Sequence, residues 1–290
     1  MNTFDKARAF MYRNARPVDL SRWRFHFEGG SAQDVLACLS AYQNADGGFG
    51  HALEADCWNP HSSPIQTCNA IEILREIGFA DAQHPLIAGI LRYLASGAHF
   101  DGRVWLNEVP ENNDHPHAPW WHWDGQPKLS FNPSACLAGF ALRFAAPDSP
   151  LYALAQRIAA DVRNQPIPNQ DMHELLCHIR LAQYAGDAIG EDLRAAVAHC
   201  LTKDTAEWDA GYVAKPSQFF YDPSSPFYED CADLAQYEYG FIERTQLADG
   251  SWPIPWSWSE YPEQWAIAKH WWKGHGAIVN MLFLKGMRNG

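Results

Sequence analysis

Two carboxylates are the side chains in this 290-residue sequence whose type and spacing most resemble an acid–base pair. Glu54 and Asp56 stand two residues apart, with His51, Trp58 and His61 within a few positions. A carboxyl group whose pKa is raised by its surroundings can act as a general acid while a neighbouring carboxylate assists it. We therefore predict Glu54 and Asp56 as catalytic residues. The structural alternative is that both cap the following helix and bind loop amides.

Aromatic rings form a second candidate group, because the chain contains 13 Trp, 11 Tyr and 15 Phe. Many of the Trp residues occur in segments rich in Pro, His and Asp that lack helical periodicity, so core packing does not account for all of them. Such rings can stabilise a cation, stack on a sugar or close the end of a helical array. We predict that the ligand-binding residues are His51, Trp58, His61, Trp105, Trp120, Trp121, Trp123, Trp252, Trp256, Trp258 and His275.

A histidine-rich loop offers a further pattern that could ligate a metal ion. His115, His117 and His122 accompany Glu111 and Asp114, and His-x-His with carboxylates suits transition metals. The same pattern is also common in ordinary loops, and we predict an ordinary loop here, with no metal site and no cofactor. The sequence contains no Gly-rich phosphate loop between a strand and a helix and no serine nucleophile elbow, which gives no support to nucleotide binding or α/β-hydrolase chemistry.

The charge balance argues for a small-molecule ligand. The formal net charge is −12, and an acidic surface repels phosphate backbones, so we predict no nucleic-acid partner. We expect the ligand to be apolar. No run of about 18 apolar residues and no secretory segment is visible, which predicts no transmembrane segment. Seven cysteines without a CxxC pair indicate buried thiols in a reducing compartment, and we expect the cytoplasm.

The elements that must position these residues are helices. No segment alternates apolar and polar residues for long, and every long apolar run has helical length. Proline and glycine mark the ends of the runs. The pattern predicts an all-α fold of ten to twelve helices, with one or two helical segments in 4–28 and helices over 31–42, 64–77, 85–96, 133–145, 151–163, 171–185, 191–202, 230–245 and 265–284.

The links between these helices alternate in length. Short links are predicted at 78–85, 146–150 and 186–190. In stacked antiparallel hairpins every second link lies at the same end, so the long links are predicted to gather on one face. That face carries most of the surplus Trp and His residues and is our predicted site. The long links are predicted at 43–63, 99–131, 205–228 and 250–263.

A repeated element connects the long loops to the helices. Residues 43–49 and 246–252 share the order Gln, two residues, Asp-Gly, one residue and an aromatic ring, and residues 99–105 carry a looser copy. The element resembles the QW-type repeat of the terpenoid cyclase and protein prenyltransferase superfamily. The resemblance implies an α/α toroid, a partial or complete barrel of inner and outer helices, in one domain over 1–290 with a helical extension at 1–30. It implies a structural clamp rather than a catalytic motif.

The chain departs from that superfamily at the motifs that carry chemistry. The Asp-x-Asp-Asp motif of class II cyclases does not occur, and Glu54-Ala-Asp56 is the nearest match. The aspartate-rich diphosphate-binding pattern is missing as well. Glu229, Cys231 and His275 are similar to the zinc ligands of protein prenyltransferases, but the expected helix order places Cys231 at the wrong end of the ring.

Three hypotheses of function follow. The first is a cyclase-like or prenyltransferase-like enzyme that binds an isoprenoid or another apolar ligand in an aromatic cavity, with Glu54 or Asp56 as the acid. The second is a carbohydrate-active toroid, a lyase or a hydrolase, because Trp rings with carboxylates and His also suit sugars. The third is a non-catalytic scaffold or ligand-binding protein that has kept the repeat without the catalytic motif.

Overall fold

The computed structural model describes residues 2–128 and 130–289, and within these residues the fold is all-α, as predicted. β-type pairing there is confined to four isolated bridges. No helix among them combines the length and the apolar character that a membrane crossing requires. The α-helices are α1 (Thr3–Asn14), α2 (Pro17–Phe27), α3 (Ala32–Ser40), α4 (Pro64–Glu76), α5 (Pro85–Ala95), α6 (Ser134–Phe144), α7 (Pro150–Arg163), α8 (Met172–Ala185), α9 (Glu191–Cys200), α10 (Ala232–Thr245) and α11 (Pro262–Asn289).

Proline and side-chain caps set most of the helix starts. Five helices (α2, α4, α5, α7 and α11) begin with proline, whose fixed φ and missing N–H suit the first helical position. Ser63 and Ser149 accept hydrogen bonds from the backbone N–H groups of Gln66 and Tyr152 in the first turns of α4 and α7. These local signals are visible in the sequence, and the predicted bounds of α4 to α9 are confirmed to within two residues.

Four other bounds differ from the prediction, two of them by two residues and two by more. The helix predicted over 31–42 ends at Ser40, because the chain turns there into the first repeat. The helix predicted from residue 230 begins at Ala232, since a short 3-10 turn precedes it. The last helix is longer at both ends than the predicted 265–284. Short 3-10 helices also occur inside the long loops, at Pro110–Asp114, Pro119–Trp121, Thr205–Asp209 and Pro216–Gln218.

The chain forms two compact units. Unit 1 consists of Met1–Val35 and Glu191–Gly290, and unit 2 consists of Leu36–Gly190. In unit 2, α6 packs against α4, α5, α7 and α8. In unit 1, α11 packs against α1, α2 and α10, so the segment predicted as an N-terminal extension contributes to the packing of this unit.

The two full repeats make the same side-chain clamp. In unit 2, Nε2 of Gln43 donates to the carbonyl of Gly47 at 3.0 Å and to that of Leu86, in the first turn of α5, at 3.0 Å. In unit 1, Nε2 of Gln246 donates to the carbonyl of Gly250 at 3.0 Å and to that of Thr3, at the start of α1, at 2.9 Å. Each glutamine therefore ties its own turn to the start of another helix.

The aromatic ring of each full repeat completes the clamp. Phe49 has no exposed surface and Trp252 is 6 % exposed. Nε1 of Trp252 also donates to the carbonyl of Ile242 at 2.8 Å, which ties the repeat to α10. The structural role predicted for the repeat is confirmed in both copies.

The third copy keeps the turn and loses the clamp. The carboxylate of Asp101 accepts two backbone N–H bonds of 2.8 Å within the turn, and the ring of Trp105 is fully buried. His99 stands two residues before the aspartate, where the glutamines stand three before it, and it contacts the hydroxyl of Tyr93 at 3.0 Å and the carboxylate of Glu111 at 3.2 Å. The copy therefore closes a loop without holding a helix start.

Candidate functional site

The predicted site residues belong to both units. Unit 1 contains four of them, and unit 2 contains the others. The four in unit 1 are Trp252, Trp256, Trp258 and His275.

In unit 2, residues 49–63 join residues 111–123, and we call this contact the loop junction. Cys57 and His117 pair as an isolated antiparallel bridge. Backbone hydrogen bonds of 2.9 and 2.8 Å on either side continue the pairing. Two of the predicted long loops therefore meet.

Asn112 lies at the centre of the loop junction. Its Oδ1 accepts hydrogen bonds from the thiol of Cys57 at 3.3 Å and from Nδ2 of Asn59 at 3.0 Å. Its Nδ2 donates to the carbonyl of Trp121 at 2.9 Å. With only 1 % of its surface exposed, this amide fixes both loops relative to each other.

The two predicted catalytic carboxylates are buried at the loop junction. Glu54 is 6 % exposed and Asp56 is 2 % exposed. The Glu54 carboxylate accepts a hydrogen bond from Nδ2 of Asn69 on α4 at 2.9 Å and one from the backbone N–H of Asp56 at 3.4 Å. His51, three residues earlier, contacts Oδ1 of Asn44 through Nε2 at 2.9 Å. Glu54 therefore connects the loop junction to α4.

A stripe of polar side chains winds around α4. Gln66, Asn69, Glu72 and Arg75 are spaced three residues apart, so consecutive members are neighbours on the helix surface, while the stripe turns by about half a circle from Gln66 to Arg75. The other faces of α4 are largely apolar and buried. Nε2 of Gln66 donates to the carbonyl of Asn59 at 3.0 Å, so the stripe begins under the loop junction. We call these four residues the polar stripe.

An ion-pair network occupies the middle of the polar stripe. Nε of Arg180 on α8 lies 2.8 and 2.9 Å from the two oxygens of Glu72, and Nη2 of Arg75 lies 3.2 Å from the second. Burial alone would raise the pKa of Glu72, but the two guanidinium groups outweigh it and lower that pKa. The Glu72 side chain is 34 % exposed. The network therefore favours the charged form of the Glu72 carboxyl group, and part of that group is accessible.

Three thiols lie beside this network. Cys68, Cys136 and Cys177 come from α4, α6 and α8, and all three are buried. Hydrogen bonds to Cys136 and Cys177, together with burial, raise the pKa of Cys68 well above its ordinary value. Among the described residues no group of three His, Cys, Asp or Glu side chains is arranged to hold a metal ion. The three thiols pack here as small buried side chains.

The histidines of the loop junction pair with one another. The rings of His61 and His115 lie 5.7 Å apart, and those of His117 and His122 stack at 5.6 Å. Nε2 of His117 lies 3.4 Å from Nδ1 of His122. These contacts hold the 111–123 segment against the preceding loop.

The predicted ligand-binding tryptophans of unit 2 differ in exposure. Trp120 is 41 % exposed, and Trp121 and Trp123 are half-buried. Trp58 is half-buried and donates through Nε1 to the carbonyl of Ala55 at 3.0 Å. Trp105, with no exposed surface, offers no contact to a ligand in this conformation. Trp120 is thus the ring of this group with the most free surface.

The predicted tryptophans of unit 1 pack mainly against aromatic neighbours. Trp252 belongs to the repeat clamp, and Trp258 is 4 % exposed with its ring 5.6 Å from that of Trp265. The ring of Trp256 lies 5.3 Å from that of Trp272 and 5.1 Å from that of Tyr212. Trp256 and its two neighbours form the partly accessible aromatic cluster of this unit.

His275 lies next to a buried charge cluster rather than a metal-ligand set. Asp19 is fully buried between Nε of Arg16 at 2.7 Å and Nη1 of Arg22 at 2.9 Å, and His275 is close enough to act on its charge. The thiol of Cys231 donates to the backbone at 3.1 Å. The zinc set implied by the resemblance is therefore not assembled within the described residues.

Sequence reasoning missed Asn69, Glu72, Arg180 and Asn112. The signal for the first two was present, because polar residues at three-residue spacing interrupt an otherwise apolar helix. Nothing local indicated Arg180, which is 108 residues from Glu72 in the chain.

Comparisons of this chain with protein-family models, with curated proteins and with solved structures find no match.

Proposed function

We propose that unit 2 binds a polar, hydroxyl-rich ligand at the polar stripe, and that a carbohydrate is the class that fits best. The observation that carries the proposal is the network of Glu72 with Arg75 and Arg180, one helical turn from Asn69. Sugar hydroxyls both donate and accept hydrogen bonds, and this network offers them a charged acceptor, Glu72, beside the partly exposed guanidinium of Arg75. An isoprenoid chain would instead require a dry apolar wall, since burying polar groups without partners is unfavourable.

Two further groups support a polar ligand. Nε1 of Trp121 has no hydrogen-bond partner within the described residues, and the Trp121 side chain is half-buried. Buried polar atoms are normally paired, so this N–H is a candidate donor to a polar group. The exposed ring of Trp120 adds an apolar face of the kind that stacks on sugars.

We assign different roles to the carboxylates of this site. Glu54 is the proposed general acid or base, with Asp56 as its neighbour in the loop junction. Glu72 is a binding residue, because the lowered pKa keeps its carboxyl group charged and unable to donate a proton. The reaction class is then hydrolysis or elimination at a glycosidic linkage, both of which use positioned carboxyl groups.

We further propose that the helices form an α/α toroid. Each full repeat holds the start of a helix. The repeat at 246–252 holds α1, the first helix of the chain, because Gln246 donates to the carbonyl of Thr3. A closed ring of hairpins requires this kind of connection between its last and first elements. A low-resolution solution-scattering envelope with a central depression is the expected result, and an elongated envelope would count against the ring.

Binding to oligosaccharides tests the proposed function. We would screen neutral and uronate-containing oligosaccharides against the full chain by calorimetry, and follow new reducing ends and unsaturated products for turnover. Glu72→Gln is expected to weaken binding, whereas Asp148→Asn, a change at an exposed carboxylate, is the matched control. Glu54→Gln is expected to retain binding and lose turnover. Absence of binding to every sugar class, or equal effects of Glu72→Gln and Asp148→Asn, would overturn the proposal.

An apolar or isoprenoid ligand is the second candidate. The observation that favours it is the aromatic cluster of Trp256, Trp272 and Tyr212 in unit 1, with Tyr212 50 % exposed. Quenching of tryptophan fluorescence by farnesol or farnesyl diphosphate would test it, with Trp256→Ala as the variant and Trp120→Ala as the control. If binding of either ligand class persists without turnover, and Glu54→Gln and Asp56→Asn leave it unchanged, the protein is a binding protein.

A further inference from the structure

A concave site lies in unit 2, outside the loop junction and the polar stripe. It is a groove of about 480 Å3 formed by α6, α7 and α8, with a polar lining. Volumes of this size are typical of small-molecule sites. The lining residues with chemical function are Arg143, Tyr152, Gln156, Arg163, Tyr184 and Asp187. None of them belongs to the loop junction or the polar stripe.

The groove presents donors that the protein itself does not use. The guanidinium of Arg143, the hydroxyls of Tyr152 and Tyr184 and the side-chain amide of Gln156 have no hydrogen-bond partner within residues 2–128 and 130–289. Arg143 and Gln156 are exposed, and both tyrosines are half-buried. A guanidinium group offers only donors, in a planar fork that matches an oxyanion.

The charges of the lining leave a positive excess. Asp187 is the carboxylate of the groove, and its Oδ2 lies 2.6 Å from Nη2 of Arg163. This pair is neutral as a whole, which leaves the charge of Arg143 uncompensated within the lining. Burial raises the pKa of Tyr184, so its phenol keeps the proton that it can donate.

We propose that this groove binds a small molecule through an oxyanion group, a phosphate or a carboxylate. Arg143 pairs with the anion, and Tyr152 and Tyr184 donate hydrogen bonds to it or to atoms next to it. The rings of the two tyrosines provide apolar surface for the rest of the molecule. Tyr184 is held in place by Phe140 and Phe144, whose rings lie 5.8 and 6.3 Å from its own.

Titration of the full chain with inorganic phosphate and, separately, with malonate tests this proposal, with calorimetry as the readout. Arg143→Gln is expected to weaken binding about tenfold, the loss of one charge-assisted hydrogen bond. Arg143→Lys is expected to recover part of it. Arg157→Gln is the control, because Arg157 is an exposed arginine outside the lining, on α7, whereas Arg143 is on α6. Its Nη2 donates to the carbonyl of Gly102 at 3.1 Å. It is expected to change the affinity less than twofold, about the size of a surface effect.

A second variant is expected to strengthen anion binding rather than weaken it. Asp187→Asn removes the carboxylate that neutralises Arg163 and is expected to tighten anion binding, whereas Asp148→Asn, a change at an exposed carboxylate outside the lining, is expected to leave it unchanged. Binding of phosphate alone identifies a phosphate ligand, and binding of malonate alone identifies a carboxylate. Absence of binding to both anions overturns the proposal, as do equal losses in Arg143→Gln and Arg157→Gln. The charge of Glu72 acts on Tyr184, so the groove is tested with Arg143 and Asp187 variants in the otherwise native chain, and the two proposals fail separately.

Discussion

Three glycines provide a matched test of how closely the repeats hold their helices. Gly47, Gly102 and Gly250 occupy the same place in the three copies, with φ values of 98°, 103° and 95°. Replacement by alanine introduces the same backbone strain in each. A Cβ atom at residue 102 would meet nothing within 4 Å. At Gly47 it would lie 2.6 Å from the carbonyl carbon of Gly89, and at Gly250 2.5 Å from that of Lys6, with the carbonyl oxygens closer still.

The magnitudes follow from this difference. Strain at a positive φ costs about 1–3 kcal/mol for a non-glycine residue, and this term applies to all three variants. The overlap with a helix backbone adds about 1–3 kcal/mol or more, because a carbonyl group cannot turn aside as a flexible side chain can. We therefore expect Gly102→Ala to lose about 1–3 kcal/mol of unfolding free energy, and Gly47→Ala and Gly250→Ala to lose roughly 2–6 kcal/mol.

Urea unfolding followed by circular dichroism and by tryptophan fluorescence measures these losses. Equal m-values among the variants would show that the denatured state is unchanged. The reasoning is refuted if Gly102→Ala is as destabilising as Gly47→Ala, because the strain alone would then account for the whole effect. It is also refuted if both tight positions accept alanine with less than about 1 kcal/mol of loss.

Further outcomes follow from the clamp and from two buried groups. Gln246→Ala removes two hydrogen bonds to backbone carbonyls, and we expect it to lower the unfolding free energy by about 1–3 kcal/mol, against no loss for the exposed Gln126→Ala. Burial raises the pKa of Glu238 to about 7 from an ordinary 4.5, so the folded protein holds this proton more tightly than the unfolded chain does. That stability is complete below about pH 4.5 and is lost as the pH rises through about 7. Relative to Glu238→Gln, the wild type should therefore lose about 3 kcal/mol over this range in urea titrations. Burial raises the pKa of Cys57 to about 12, so iodoacetamide should label the half-buried Cys38 and Cys200 before Cys57, as peptide mass spectrometry would reveal.

The helix positions were predictable from the sequence because their signals are local. Pro64 opens α4 at the predicted residue, and the repeat glycines mark the turns. The 3-10 helices within the loops were missed, since turns of three to five residues have too little periodicity to detect. The last helix was predicted too short, because its apolar pattern weakens toward both ends.

The candidate site was predictable only in part, because several of its contacts join residues that are far apart in the sequence. The sequence placed Glu54 and Asp56 directly after the first repeat, and both do lie at the loop junction. The donor from Asn69 to Glu54 spans 15 residues, and the pair of Arg180 with Glu72 spans 108. Spacing along one helix indicates a shared face, but it carries no information about a partner from a helix that folds back later.

The hydrogen bond between Gln246 and Thr3 can form only late in the synthesis of the chain. These residues are 243 positions apart, so at about 5–20 residues per second the ribosome releases α1 about 12–50 s before its clamp exists. Unit 2 is one continuous segment and is complete long before that. Until then Phe10, Met11 and Trp23, all buried in the finished protein, have no α11 to pack against. The nascent chain thus carries an apolar N-terminal hairpin that chaperones can bind while its partner is still being translated.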